Sequence, residues 1–256
     1  MEVFPLRDGG AGVPGRFEAR IVDAGGRVRP LPWPQVAGQV VLEEAAAVRT
    51  FPARRGRRVA PGWWWSATTG RLVHYGFGAM RTQVMLLDHD PQVVALACSP
   101  VELAWLGHDG QPACHTPHMM ARLADGSGLL VDCAGHDGVS ERIAGYAPVV
   151  AAAAQAVGWR HRIAAVPDRI FAANVRWLAG FRHPRNAQPG RMEEVAACFA
   201  RPRPLVEGVR RLGDPIAVWP AVFHALWSGA LSASLDRPLH ERVVAVSVRP
   251  GLVVSA

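Results

Sequence analysis

A chain of 256 residues with half of them apolar can bury a sizeable core, which excludes wholesale disorder and allows one large domain or two modest ones. All 28 basic residues are arginine, against 21 acids, and the formal charge of +7 favours anionic partners by steering and counterion release. No run approaches the roughly 20 apolar residues that span a bilayer, so no membrane partner is expected.

The first residues, MEVFPLRDGG, lack the charged and then apolar blocks of a signal peptide. Cys98, Cys114, Cys133 and Cys198 form no CxxC pair. The chain therefore reads as cytoplasmic with reduced thiols.

Residues 1–70, rich in Gly, Pro and Arg, read as an N-terminal extension with short strands at 17–22 and 39–42. Arg54, Arg55, Arg57 and Arg58 are its densest positive charge, and Trp63-Trp64-Trp65 follows closely. A basic run beside aromatics can hold nucleic acid; a solvated loop before a buried strand explains the same residues. The three tryptophans read first as core and strand-edge packing, with a stacking platform as the alternative.

Residues 79–88 have helical spacing of apolar positions and stop at Asp88-His89-Asp90-Pro91. The near-continuous apolar run 93–106 predicts buried strand. Residues 115–123 and 129–133 predict two strands joined by Ala124-Asp125-Gly126-Ser127-Gly128, a hairpin signal. An alanine-rich helix over 146–157 ends at Gly158, and a strand follows over 160–166. Helix, strands, helix and strand in that order make an α/β core.

The composition breaks at 186–191, which separates a core of residues 71–190 from a C-terminal part of 191–256. That part predicts helices over 193–199, 204–212 and 216–227, then strands over 231–235 and 242–248 that alternate like the wing of a winged helix. Trp219, Phe223, Leu226 and Trp227 keep helical spacing on one side and read as helix core. Trp177 reads as packing between the two parts. Arg210 and Arg211 lie close to a possible helix-turn-helix, where they can meet phosphates, or simply end a solvated helix.

The phrases MLLDHDPQVVALACSP, HTPHMMARLADGSGLLVDC, GWRHRI, NVRWLAGFRHPR and GDPIAVWPAVFHALWSGALSASLDRPLHERVV run through residues 75–250. In kind and order this stretch resembles the TnsA-type endonuclease subunit of heteromeric transposases, in particular the actinobacterial type. The resemblance implies a restriction-endonuclease-like core, a mixed sheet flanked by helices, and a small helical, winged-helix-like C-terminal domain. It also implies action at DNA ends beside a transposase subunit of the integrase type, with an ATPase as a further regulator.

The family site, of the PD-(D/E)xK type, uses a helix Glu, the Asp of a P-D or T-D step, and an acid-or-Gln-x-Lys. Its carboxylates hold Mg²⁺. Position by position, the resemblance assigns the helix Glu to Met80, the Asp to His118, the acid to Asp132 and the Lys to Ala134. A thioether and an imidazole are poor ligands for Mg²⁺, which takes hard oxygens. Arg81 and Arg122 are the candidates for the lost lysine's charge. The implied protein is a catalytically degenerate nuclease retained for DNA and partner binding.

Two alternatives stay open. One is an active metal-dependent endonuclease, with Glu102 or Asp88 displaced into the gap, or with Zn²⁺ at His118 and Asp132 and His136 beside them. Cys114, His115 and Cys133 lie close in sequence to that set. The other is a protein-only interaction module left from a mobile element.

Overall fold

Burial runs unbroken through Gly128–Cys133, as a strand covered on both faces requires, whereas Glu18–Val22 alternates buried with half-buried. These strands lie inside the two largest sheets of the computed structural model, which describes residues 17–52, 61–107, 109–135 and 138–248. The described residues are mixed α/β, with seven α-helices and several small sheets. The chain divides into one unit of Met1–Val84 with Gln92–Val166, and another of Met85–Pro91 with Pro167–Ala256.

The first unit runs β1 (Glu18–Val22), β2 (Val28–Pro32), α1 (Trp33–Gln39), β3 (Gly62–Trp65), β4 (Leu72–Tyr75) and the start of α2 (Gly78–His89). It continues with β5 (Val93–Cys98), β6 (Glu102–Leu106), β7 (Pro112–His115), β8 (Met119–Leu123), β9 (Gly128–Cys133), α3 (Glu141–Gln155) and β10 (Arg160–Ala164). One sheet has the order β2-β1-β6-β7 and is antiparallel throughout. The other, β10-β9-β8-β5, is mixed: β9 pairs antiparallel with β8 and parallel with β10. A parallel pair needs a long crossover, and α3 supplies it.

The apolar run 93–106 is not one strand, and neither is 115–123. Pro100 and Pro117 break them, because a proline has no N–H for a ladder. Both legs of the β6–β7 hairpin thereby leave one sheet and continue into the other, as β5 and β8, at the same level. There Ser99 N–H donates to the His118 carbonyl at 3.0 Å. Ser99 takes φ +47°, a left-handed backbone that costs a non-glycine residue about 1–3 kcal/mol.

The expected hairpin over 119–133 forms, with Gly126 at φ +83° in its turn. Helix α3 starts earlier than its alanine run because Ser140 caps it, accepting from Ile143 N–H. Residues 39–42 are not a strand; α1 ends there, with Trp33 and Val36 buried. Trp33 Nε1–H donates to the Ala153 carbonyl at 2.7 Å, and its ring meets Trp159 edge-on at 5.3 Å. Residues 17–42 are thus part of the unit's core, where Ala19, Ile21 and Leu42 join Leu103, Met120 and Leu130.

The second unit holds α4 (Arg169–Leu178), α5 (Pro189–Cys198), β11 (Arg203–Pro204), α6 (Leu205–Leu212), α7 (Pro215–Trp227), β12 (Leu231–Ala233) and β13 (Val244–Ser247). Asp168 caps α4 by accepting from Ile170 and Phe171 N–H. Residues 167–190 pack with the C-terminal helices: Phe181 lies 4.8 Å from Phe223, and His224 Nδ1–H donates to the Phe181 carbonyl. The division therefore falls after Val166, and the composition break at 186–191 lies within this unit, where a short turn leads into the start of α5.

Asn174, 6% exposed, binds both sides of a returning loop. Its amide donates to the Leu235 and Arg237 carbonyls at 2.7 Å each, and its carbonyl accepts from Leu239 N–H at 2.9 Å. On α7 the buried face is Val218, Ala221, Val222, Ala225, Leu226 and Trp227. Trp219 and Phe223 are half-buried and stacked on each other at 4.9 Å, so they are not the helix core. Trp177, expected to pack between the two parts, is 59% exposed, with its ring against Phe181 and Phe223 of its own unit. No helix among the described residues is long and apolar enough to cross a membrane.

Candidate functional site

Strand alternation turns Asp132 to the same face of the mixed sheet as Leu130, and on β10 the register pairs Leu130 with His161 and Asp132 with Ile163. His161 therefore shares Asp132's face. Its Nε2 lies 3.0 Å from Asp132 Oδ2, with the His161 side chain 3% exposed. From the end of β7, His115 Nε2 lies 2.9 Å from both Asp132 oxygens. An ionised carboxylate only accepts, so both imidazoles donate.

Asp132 itself is 1% exposed. Burial alone would raise its carboxyl, but hydrogen bonds from His115 and His161, with attraction to His115 and His118, hold it well below the ordinary carboxylate range. It is an anion at neutral pH and a poor proton acceptor.

His118 stands where the two sheets part. Its Nδ1 accepts from Cys133 N–H at 2.9 Å and lies 3.4 Å from Asp132 Oδ1. Burial lowers its pKa most, Asp132 opposes this, and His115 and Arg49 lower it further. Phe77, immediately before α2, meets the His118 ring edge-on at 5.1 Å. One turn on, Met80 is wholly buried, and its sulfur accepts from Gly76 N–H at 3.4 Å. Ala134 follows β9, buried, with its N–H on the Ala164 carbonyl.

Sequence reasoning missed His161. Its signal was available only after pairing: a histidine at matching parity on the strand parallel to β9. His115, which reads from sequence either as one of a cluster of ligand-type residues or as the cap of a hydrogen-bond network, is the closest partner Asp132 has. The remaining candidates fall elsewhere. Glu102 pairs with Arg20 at 2.7 Å. Arg122 pairs with Glu43 and lies over the Trp159 ring at 4.8 Å. Arg81 is exposed on α2. Arg210 and Arg211 are exposed at the end of α6, with Arg211 2.7 Å from Glu207. Arg54, Arg55, Arg57, Arg58 and His136 lie outside the described residues.

These groups do not fit the implied metals. Mg²⁺ would meet sulfur at Met80 and nitrogen at His118. Zn²⁺ at His118 and Asp132 would compete with the Cys133 N–H for Nδ1 and with two imidazoles for the carboxylate. Thiolates are no help: burial, then Asp132, pushes the Cys133 thiol up to about 12, and burial raises Cys98 and Cys114 as well. Among the described residues no group of three or more His, Cys, Asp or Glu side chains is placed to hold a metal ion.

No family model matches the chain, and no curated protein matches it.

Proposed function

We propose that this chain is a TnsA-like subunit of a heteromeric transposase. It binds DNA ends and an integrase-type transposase partner, under an ATPase regulator, with a nuclease centre that no longer cuts. One observation carries the proposal. The positions assigned to metal-dependent cleavage hold Met80, His118, Asp132 and Ala134, and their single acid is engaged by His115 and His161. Two imidazole N–H groups do for Asp132 what a bound cation does for a catalytic carboxylate.

Other features support the reading. Helix α2, the antiparallel β5, β8 and β9, then α3 and β10 form a mixed sheet with helices, as a restriction-endonuclease-like core requires. Helices α5, α6 and α7 followed by the β12–β13 pair suit a winged-helix-like domain. The formal charge of +7 suits a DNA partner.

The test incubates the purified protein with supercoiled plasmid under Mg²⁺, Mn²⁺ and Zn²⁺ in turn, beside a His118→Ala, Asp132→Ala double variant. The expected result is no nicking by either protein, and duplex binding whose log affinity falls steeply with log salt. Nicking by the wild type that the double variant lacks would establish a rebuilt metal site. Absence of duplex binding at low salt would leave only a protein-interaction module.

A further inference from the structure

Residues 45–87 contain seven arginines and no acid, while the rest of the chain sets 21 arginines against its 21 acids. The whole formal charge of +7 thus resides in one short stretch of sequence. Within it the β3–β4 pair and residues 49–51 gather a row of rings.

Strand alternation sends Trp64 inward, to 7% exposure, and leaves Trp63 64% exposed. Trp63 stands opposite His74 in the register, with ring centroids 4.8 Å apart. His74 lies 5.9 Å from Phe51, and the exposed Arg49 holds its guanidinium 5.4 Å from the Phe51 ring. Phe51 in turn meets Phe77 at 6.4 Å, and Phe77 meets His118. Burial lowers the pKa of His74, so at neutral pH it backs Trp63 as an uncharged ring. Arg71 and Arg81 are exposed within the same stretch.

An indole held open to solvent over a second ring, in a stretch of sequence that carries arginines and no acid, matches one ligand chemistry: a flat aromatic base on an anionic backbone. Every base offers a π-face, and arginine both neutralises phosphate and stacks. A partner protein's apolar side chain would use the indole but not the arginines. A regular duplex would use the charge but not the indole, since its bases are already stacked.

We infer that Trp63, backed by His74 and flanked by Arg49, is a stacking site for an unpaired nucleobase, so that the chain grips a single-stranded segment of its DNA. This rests on the DNA-binding reading above. The site gives the protein a function at frayed or nicked ends that needs no cleavage of its own.

The test measures anisotropy of three labelled probes: a single-stranded dT oligonucleotide, an abasic strand of equal length, and a duplex. Wild type, Trp63→Ala and Trp63→Phe are compared, with far-UV circular dichroism to show that each is folded. Truncation to alanine should weaken dT binding roughly 5- to 100-fold, leave the duplex and abasic strands within about twofold, and be rescued by phenylalanine. Equal binding of dT by wild type and Trp63→Ala, or of dT and abasic strands by wild type, would overturn the stacking site while leaving duplex binding intact. A wild type that binds none of the three overturns this site and the DNA-binding reading together.

Discussion

His118 accepts a hydrogen bond from the backbone N–H of Cys133 at 2.9 Å, and that contact determines where its proton can sit. With Nδ1 occupied as an acceptor, the neutral ring carries its proton on Nε2. Charging the ring would put a proton on Nδ1 and break the bond, inside a site where burial already opposes the charge.

The folded-state pKa of His118 is therefore lowered from 6.5, and the unfolded chain binds more protons just below that value. Stability from this group is complete above about pH 6.5 and is lost as the pH falls through that window. His74 and His89 are lowered chiefly by burial and act in the same direction. The melting temperature should fall between pH 7 and pH 5. His118→Asn, which keeps an acceptor for Cys133 but cannot titrate, should fall less steeply; an unchanged slope would remove His118 from the account.

Asp132 works at lower pH. Its folded pKa lies below 3.8, so its stabilisation is present above that value and is lost as the pH falls through the folded pKa. Replacing it with asparagine removes the negative charge and turns an amide NH₂ towards the His115 donor, which lies 2.9 Å from both carboxylate oxygens. Asp132→Asn should destabilise the fold by about 2–4 kcal/mol in urea titrations at pH 7, and should flatten the acid limb of the stability curve. A change of under about 0.5 kcal/mol would mean that the carboxylate does not hold His115 and His161.

Local pattern located α2, the β8–β9 hairpin, β10 and the helices α5 to α7, because apolar period and turn glycines report on neighbours in the chain. It did not reveal that β5 and β8 hand over to a second sheet at Ser99 and Pro117, which depends on what the far ends pair with. Asp132 and His118 were singled out only through the resemblance. His161 was not: it lies 29 residues from Asp132, and only the parallel pairing of β9 with β10 brings them together. Trp63-Trp64-Trp65 reads as packing, yet Trp63 is 64% exposed beside the buried Trp64, because strand alternation sends neighbours to opposite faces and the sequence does not say which faces out.

Asn174 belongs to the same class of hidden partner. The phrase NVRWLAG was distinctive in the sequence, and so was DRPLHERVV. The structure shows that Asn174 in the first phrase binds Arg237 and Leu239 in the second, and Leu235 just before it. Alanine there would orphan two carbonyls and one N–H in a half-buried setting, at about 2–4 kcal/mol. Aspartate should be no better, because a carboxylate would face the two carbonyls. Limited proteolysis is the direct readout: cleavage should appear first in residues 234–242, and resistance equal to wild type would show that the loop is held by other contacts.

Placing acids at the two positions that the proposal assigns to carboxylates tests whether these positions converge. Met80 is wholly buried, so Met80→Glu introduces a charge without a partner, and His118→Asp adds a carboxylate beside Asp132. The double variant should melt well below the wild type in a chelator, by about 5 °C or more. A divalent cation is what relieves neighbouring carboxylates. Millimolar Mg²⁺ should therefore raise the melting temperature of the double variant and leave the wild type unmoved, since only the former offers a cluster of oxygens that binds the folded state. An equal Mg²⁺ response in both proteins would mean that α2 and the ends of β8 and β9 do not frame a cation site, and the nuclease ancestry proposed for this fold would lose its main support.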